Sequence, residues 1–371
     1  MKILIVTHYF LPHVGGIEMV AYNQAKKLIK RGHEVTIVSS KIGPESEREL
    51  IEGIKIIRVK AWNWFERKWG VPYPIFSLKI FKVIKNEVEK ADIVHVHDIW
   101  YLSSFVAAIY SRKEKPLILM QHVGLVETKK KIVNIIQKIV YPTYGTYVLN
   151  TSKKAIVCNP EAGKILKNKS KAVFIKNAVD IKLFKPNNNK KSLRIKYDLP
   201  LDKKIILFVG RFVEKKGFDK LFAARDKDYF ILFVGNGIIP QDMKKNKDVR
   251  FIKDMPQSKL KDIYQLSDIF CLPSNNEGFP LTILEAMASG LPVIAGKNKG
   301  YEEYIERGDV KLINPTKEEI KRAIVEIINN PRLINKMSKY SRNKAIKDFS
   351  WENNNKQLLK VYKEVLNANK Q

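Results

Sequence analysis

Two cysteines, Cys158 and Cys271, and six histidines are the only soft metal-ligand types in 371 residues, apart from methionine. Each cysteine falls in an apolar strand pattern, which favours buried free thiols over a disulfide scaffold or a metal site. No apolar run approaches the roughly 18 residues that a membrane-spanning helix needs. The N-terminal patch Ile3–Val6 is followed at once by His8, too short for the apolar segment of a secretory leader. The expectation is a cytosolic chain. Acidic residues are scarce as well: 38 Asp and Glu stand against 68 Lys and Arg, a net charge of +30. Such a balance calls for nucleic acid, an anionic membrane surface, or a bias of composition. Lysine is spread over nearly every segment together with Ile and Asn, and no clustered basic recognition element stands out, which argues against nucleic acid as a partner.

What is present is enough apolar material for about two domains: 45% of the residues are hydrophobic. The densest stretch is Cys271–Ala295, CLPSNNEGFPLTILEAMASGLPVIA. It reads strand, loop, helix, strand, with short apolar runs at Ile269–Leu272 and Pro292–Ala295 and a helical period over Leu281–Ala288 closed by Gly290. Pro280 suits the first helical position, and the free amides of the next turn form an anion site. Glu277 in the loop and Glu285 in the second turn of the helix stand too far apart to be an acid and base on one face, so they serve different parts of one ligand. A carboxylate accepts from a pair of hydroxyls. Glu285 is read as holding a ribose diol and Glu277 as holding a second, transferred sugar.

EGFPLTILEAMASGLPVIA resembles the E-x7-E signature of the retaining glycosyltransferases of family 4. The resemblance implies an α/β fold of the GT-B class, two facing Rossmann-like domains. The expected division is 1–180 for an N-terminal acceptor-binding domain, 181–203 for a linker, 204–347 for a nucleotide-sugar-binding domain, and 348–371 for a C-terminal helix crossing back to the first domain.

The rest of the chain extends the match. After the strand MKILIVT, Gly15 and Gly16 open an amphipathic helix closed by Gly32, and glycine lets a backbone come close to a phosphate or sugar. The loop is not the G-x-G-x-x-G dinucleotide fingerprint. Trp62, Trp64 and Trp69 among Lys60, Arg67 and Lys68 suit either a membrane interface or packing under a loop. DIVHVH places His95 and His97 on one face of a strand; a metal there lacks a matching distant cluster, and His97 and Asp98 are assigned to the acceptor side. His122 follows the strand Lys115–Gln121 at the end where α/β folds bind ligands, and the resemblance places it beside the transferred sugar. Thr128–Asn150, with Lys129 to Lys131, reads as a basic amphipathic helix. KNAVD resembles the family's N-G-V-D turn, with Ala178 in place of glycine.

GRFVEKKG resembles the family's V-G-R-x4-K-G, which implies that Arg211 and Lys216 bind the donor diphosphate; Lys215 is the alternative in register. FIKDMP resembles F-x-G-x-V, with Asp254 where glycine is usual, and KGYEEYI has Glu302 in place of a proline. The implied machinery is Arg211, Lys216, Glu277 and His122 for catalysis, and Gly15, Gly16, Gly278, Phe279, Leu281, Thr282 and Glu285 for the donor. The expected reaction is retaining, metal-independent transfer of a hexose from a UDP- or GDP-linked sugar, with no cofactor, to a glycan or lipid-linked acceptor. The site of action would be the inner face of an anionic membrane. A sugar-nucleotide epimerase of the same fold and a basic nucleic-acid-binding protein are the competing classes.

Overall fold

The computed structural model describes residues 1–112, 115–125, 131–166, 169–187, 189–275, 277–305 and 309–369. The chain forms two compact units, one of Met1–Asn177 with Trp351–Gln371 and the other of Ala178–Ser350.

In the first unit the described strands are β1 (Lys2–Val6), β2 (Glu34–Lys41), β3 (Arg48–Ile51), β4 (Ile54–Trp62), β5 (Ile75–Phe76), β6 (Ile93–His97), β7 (Leu117–Gln121), β8 (Lys154–Val157) and β9 (Ala172–Phe174). They lie in the order β3-β4-β2-β1-β6-β7-β8-β9, with β5 on β4. Only the pairings of β3 and β5 with β4 are antiparallel among these. The central strands β6 and β7 are buried at every residue, as parallel strands covered on both faces must be. That burial explains the apolar run Leu117–Met120 of β7 and leaves His95 and His97 as the buried polar exceptions of β6. Sequence order reverses between β1 and β6, which register Ile3 with Ile93 through Val6 with Val96. Such a reversal opens a crevice at the carboxyl ends of the two strands.

The second unit has β10 (Lys204–Val209), β11 (Tyr229–Val234), β12 (Val249–Ile252), β13 (Ile269–Leu272), β14 (Val293–Gly296) and β15 (Lys311–Ile313). Their order is β12-β11-β10-β13-β14-β15, all parallel. Its reversal point lies between β10 and β13. Phe208, Phe233 and Phe270 fill the core beneath it.

The last helix, Trp351–Ala368, is part of the first unit. Gln24 Nε2 donates to Asn354 Oδ1 at 3.2 Å, Asn355 Nδ2 donates to Gln24 O at 3.2 Å, and the Tyr362 hydroxyl lies 2.6 Å from His95 Nδ1. The expected helix over Thr128–Asn150 is not continuous. Residues 128–130 lie outside the described residues; helix Lys131–Val140 then passes through a π-helical turn, Tyr141–Gly145, into helix Thr146–Thr151. Pro142 has no N–H with which to continue the ladder, and a widened turn absorbs the defect. Within 181–203 lies helix Lys190–Lys196, fastened by Arg194, whose Nε donates to Leu266 O at 3.0 Å and whose guanidinium pairs with Asp268. Both cysteines are buried free thiols, as their apolar surroundings predict. Among the described residues no helix is long and apolar enough to cross a membrane.

Candidate functional site

Both reversal points carry the polar residues that the sequence singled out, and the two are built differently. In the second unit the chain leaves β10 through Gly210 and Arg211, which is exposed, into a short 3-10 turn, Glu214–Lys216. Lys216 Nζ stands 2.9 Å from Glu277 Oε1, with only 18% and 11% of the two side chains exposed. A backbone bond ties the loops that carry them: Asn275 N–H donates to Lys215 O at 3.0 Å. Lys215 itself is exposed, so Lys216 is the lysine turned to Glu277. On the far side the segment after β14 presses on the same loop. A Cβ at Gly300 would lie 2.2 Å from Glu277 O and 2.5 Å from Gly278 O, so no larger residue fits that approach.

Helix Leu281–Ala288 begins one position later than the proline signal implies. Pro280 is its N-cap, with ψ 132, not its first helical residue; the fixed φ of proline suits either place. Ile283 N–H closes on Pro280 O at 3.1 Å, and the amides of Leu281 and Thr282 fall in the first turn, where an α-helix supplies no acceptor. Phe279 is buried, with its ring 5.9 Å from both Tyr301 and Tyr304 and 5.1 Å from Phe349. Its ring anchors the loop that carries Glu277 and Gly278.

Glu285 is buried, and Tyr264, on helix Gln257–Leu266, donates its hydroxyl to Glu285 Oε2 at 2.7 Å. Burial, then the charge of Glu285, hold the Tyr264 hydroxyl well above the usual tyrosine range, so it remains a donor. Sequence reasoning assigned Tyr264 no role. Its signal was the tyrosine of FIKDMPQSKLKDIYQLSDIF, a run that resembles the family's pattern but gave that position no role. Asp254, in place of the usual glycine, has φ 54, and its N–H donates to Asn236 Oδ1 at 2.9 Å. The backbone there is left-handed, which explains the glycine preference and why an aspartate is tolerated.

At the reversal point of the first unit the side chains are mostly aromatic and imidazole. His8, just past β1, stacks on Tyr101 at 4.0 Å and 1°. The rings of His95 and His97 stack at 4.8 Å, on one side of β6 as their spacing requires. His97 Nδ1 is 2.9 Å from His122 Nε2. Asp98, at φ 60, accepts the His122 backbone N–H at 2.7 Å on Oδ1. Burial raises the Asp98 carboxyl to about 7 in spite of the backbone donors. Burial lowers His122 to about 4, with nearby His8 adding to the fall. His97 is held well below the usual range by burial and then by His95 and His122. These imidazoles are neutral at neutral pH.

Gly15 lies against a carboxylate. Its missing side chain makes room for the carboxylate of Glu18, whose Oε2 would lie 2.4 Å from a Cβ there. Gly16 is the first residue of helix Gly16–Ile29. Glu18 accepts from His13 Nδ1 at 3.1 Å, and Glu66 accepts from His13 Nε2 at 3.2 Å. Against the pull of burial, these two carboxylates raise His13 to about 9, so it is the cationic histidine of the group. His8, His13, Glu18 and Glu66 were not identified from sequence; Glu18 lies in the first helical turn, where a carboxylate suits the helix dipole.

Glu66 belongs to helix Trp64–Trp69, which buries none of its residues. Trp62 is 51% and Trp64 49% exposed, and Lys68 Nζ lies 4.9 Å and 5.2 Å from the ring centroids of Trp64 and Trp69. The segment is part surface and part packing: Trp62, Trp64, Arg67 and Lys68 are exposed, while Phe65, Trp69 and Tyr73 are half-buried, Phe65 against the rings of the other two. Lys129 and Lys130 lie outside the described residues, as does the side chain of Lys131. Among the described residues no group of three or more His, Cys, Asp or Glu is placed to hold a metal ion.

Two family models match the chain, Glycosyltransferase Family 4 over residues 14–183 and Glycosyl transferases group 1 over residues 189–344. One subunit of the phosphatidylinositol N-acetylglucosaminyltransferase of Arabidopsis thaliana is 26% identical over 388 residues, spanning 99% of this chain and 82% of the relative. The fold is shared with sucrose-phosphate synthase from Thermosynechococcus elongatus, at a TM-score of 0.79, 22% identity and 99% coverage of both chains. It is shared also with Anabaena HepE in complex with UDP-glucose, at a TM-score of 0.78 and 18% identity over 98% of this chain and 100% of that one. The chain belongs to the group 1 glycosyltransferases of family 4, enzymes of the GT-B fold that use nucleotide-sugar donors.

Proposed function

We propose that the enzyme moves a hexose from a UDP- or GDP-linked sugar to a hydroxyl of a glycan or lipid-linked acceptor, with retention at the anomeric carbon and without a metal ion. The observation that carries this reading is the cluster at the reversal point of the second unit, where Lys216 and Glu277 pair at 2.9 Å beside the start of helix Leu281–Ala288. Arg211, Lys216 and the first-turn amides absorb the charge that develops on the leaving diphosphate. Glu285, held by Tyr264, takes the ribose hydroxyls, and Glu277 takes the transferred sugar. His97, Asp98 and His122 serve the sugar and acceptor side. The bond between C1 and the phosphate oxygen breaks, the acceptor oxygen bonds to C1 on the same face, and the departing phosphate takes the acceptor's proton. The binding of UDP-glucose by HepE supports a sugar nucleotide as donor.

The acceptor reading rests on the patch of Trp62, Trp64, Trp69, Arg67 and Lys68, which fits the headgroup region of an anionic leaflet, each cation contributing about 1 kcal/mol near the surface. The name of the Arabidopsis relative, a transferase acting on phosphatidylinositol, agrees with a lipid acceptor. The chain would then work at the inner face of the cell membrane.

Incubation with labelled UDP- and GDP-sugars tests the reaction. Transfer should require an acceptor, give a product of unchanged anomeric configuration by NMR, and continue in saturating EDTA; an inverted product or a chelator block restored by Mg²⁺ refutes the corresponding part. Co-sedimentation with vesicles tests the surface: binding should need anionic lipid, weaken with salt, and drop when the three tryptophans become alanine. Indifference to anionic vesicles at low salt would point to a soluble acceptor.

A further inference from the structure

The contact between His97 Nδ1 and His122 Nε2, at 2.9 Å, is a hydrogen bond only if one of the two nitrogens carries a proton and the other does not. With both rings neutral, each has one N–H, and the choice of donor decides what His122 offers on its other edge. His97 has no exposed surface, and its Nε2 has no hydrogen-bond partner among the described residues. Were His122 the donor, His97 would carry its own proton on Nε2 and bury an N–H without an acceptor. With His97 as donor, the same nitrogen buries only an unused lone pair. Buried N–H groups without acceptors are rarer in folded proteins than underused acceptors. The stacked ring of His95 covers one face of His97 and presents no acceptor in its plane. His122 keeps 9% of its surface exposed, and with Nε2 turned to His97 its Nδ1 is on the other edge of the ring.

We propose that His97 donates from Nδ1 to His122 Nε2 and so fixes His122 as the tautomer that carries its proton on Nδ1. His97 is then a positioning residue, and His122 presents a hydrogen-bond donor, not a base, to a bound ligand oxygen. The consequence for the reaction rests on the reading that places His122 beside the transferred sugar. An imidazole whose Nδ1 already holds a proton does not accept one there from the acceptor hydroxyl, which removes His122 as the base and agrees with transfer of that proton to the leaving phosphate. Asp98 completes the arrangement by holding the His122 backbone N–H at 2.7 Å.

The test is long-range proton–nitrogen NMR of the nitrogen-15-labelled full chain near neutral pH, with the His122 signals assigned by their loss in His122→Asn. The expected pattern is a protonated Nδ1 and an unprotonated Nε2; the opposite pattern overturns the proposal. His97→Asn, whose amide can donate from the place of Nδ1, should keep that pattern, whereas His97→Phe should release a mixture of tautomers. Retention of the pure Nδ1–H form in a folded His97→Phe would remove His97 from the role. The wild-type spectrum decides the tautomer even if a variant fails to fold. Near wild-type transfer by His122→Ala would instead refute the placement of His122 at the sugar and leave the tautomer standing.

Discussion

The carboxyl edge of the second unit's sheet is ionic, and that of the first is a buried group of neutral imidazoles with one clamped cation. Lys216 meets Glu277 close to Arg211 in the one; His97 meets His122 over Asp98 in the other. Two sheets with the same order reversal thus prepare their edges for different work. The ionic edge suits a ligand that arrives with its own charge, since ionised donors make the stronger hydrogen bonds to an anion. The imidazole edge suits hydroxyls, which a desolvated neutral ring can bond without a mismatch of charge.

The largest expected effect falls on the ionic edge. Lys216→Ala and Arg211→Ala should each lower the transfer rate by roughly 10²-fold or more while leaving the circular dichroism spectrum and the melting temperature near those of the wild type. Near wild-type turnover in both would break the comparison at its stronger end. Next is Tyr264→Phe, which takes a donor from the buried Glu285 carboxylate at a cost of about 1–3 kcal/mol. Its loss should appear as a raised KM for the donor, and a donor lacking a ribose hydroxyl should narrow the gap between variant and wild type. An unchanged KM would free Glu285 from its dependence on Tyr264.

A smaller, titrating effect belongs to the imidazole edge. His8, His95, His97 and His122 are all depressed by burial, the first and last to about 4 and His95 to about 3. Groups lowered in the folded state give stability that is complete above the ordinary histidine value and drains away as pH falls toward those figures. Asp98, raised to about 7, runs the other way: its contribution is complete at acid pH and is lost as pH rises to about 7. With four histidines against one carboxyl, melting temperatures should fall on acidification below about pH 6. The smallest effect lies on the alkaline side. His13, raised to about 9, loses its stabilising contribution as pH climbs from the ordinary histidine value through 9. His13→Gln should flatten that alkaline slope, and an unchanged slope would show that the pairing with Glu18 and Glu66 does not matter.

The ionic edge was legible in the sequence because its carboxylates lie on a single strand, loop and helix, and its cations on the loop just after β10. Local periodicity and turn residues put Glu277 and Glu285 on a loop and a helix and Arg211 and Lys216 after a strand, and the resemblance to the family's motifs supplied the roles. The imidazole edge draws on His8, His97, His122 and Tyr101, which meet only through the strand order, and no local pattern reports which strands become neighbours. Hence His122 was found by its place after a strand, while its pairing with His97 was not. The apolar central strands were read closely, as at Lys204–Val209 and Ile269–Leu272, whereas the short strands Arg48–Ile51, Ile75–Phe76 and Lys311–Ile313 were not. Two further errors lie at prolines: Pro142 widens a turn, and Pro280 caps a helix instead of entering it. Tyr264 escaped because a buried tyrosine and a core aromatic share the same helical spacing.

The first unit is split in sequence: its last helix, Trp351–Ala368, comes after the whole of Ala178–Ser350. Chains emerge from the ribosome at roughly 5–20 residues per second, and domains generally fold as units in the order they appear. Here the unit that starts first finishes last. The second unit is an uninterrupted stretch and has all its strands before Trp351 is made, whereas Gln24 and His95 wait for Asn354, Asn355 and Tyr362. Until then their polar groups need water, so a nascent chain halted before Trp351 would hold a finished second unit together with an unfinished first one exposed to proteases and chaperones.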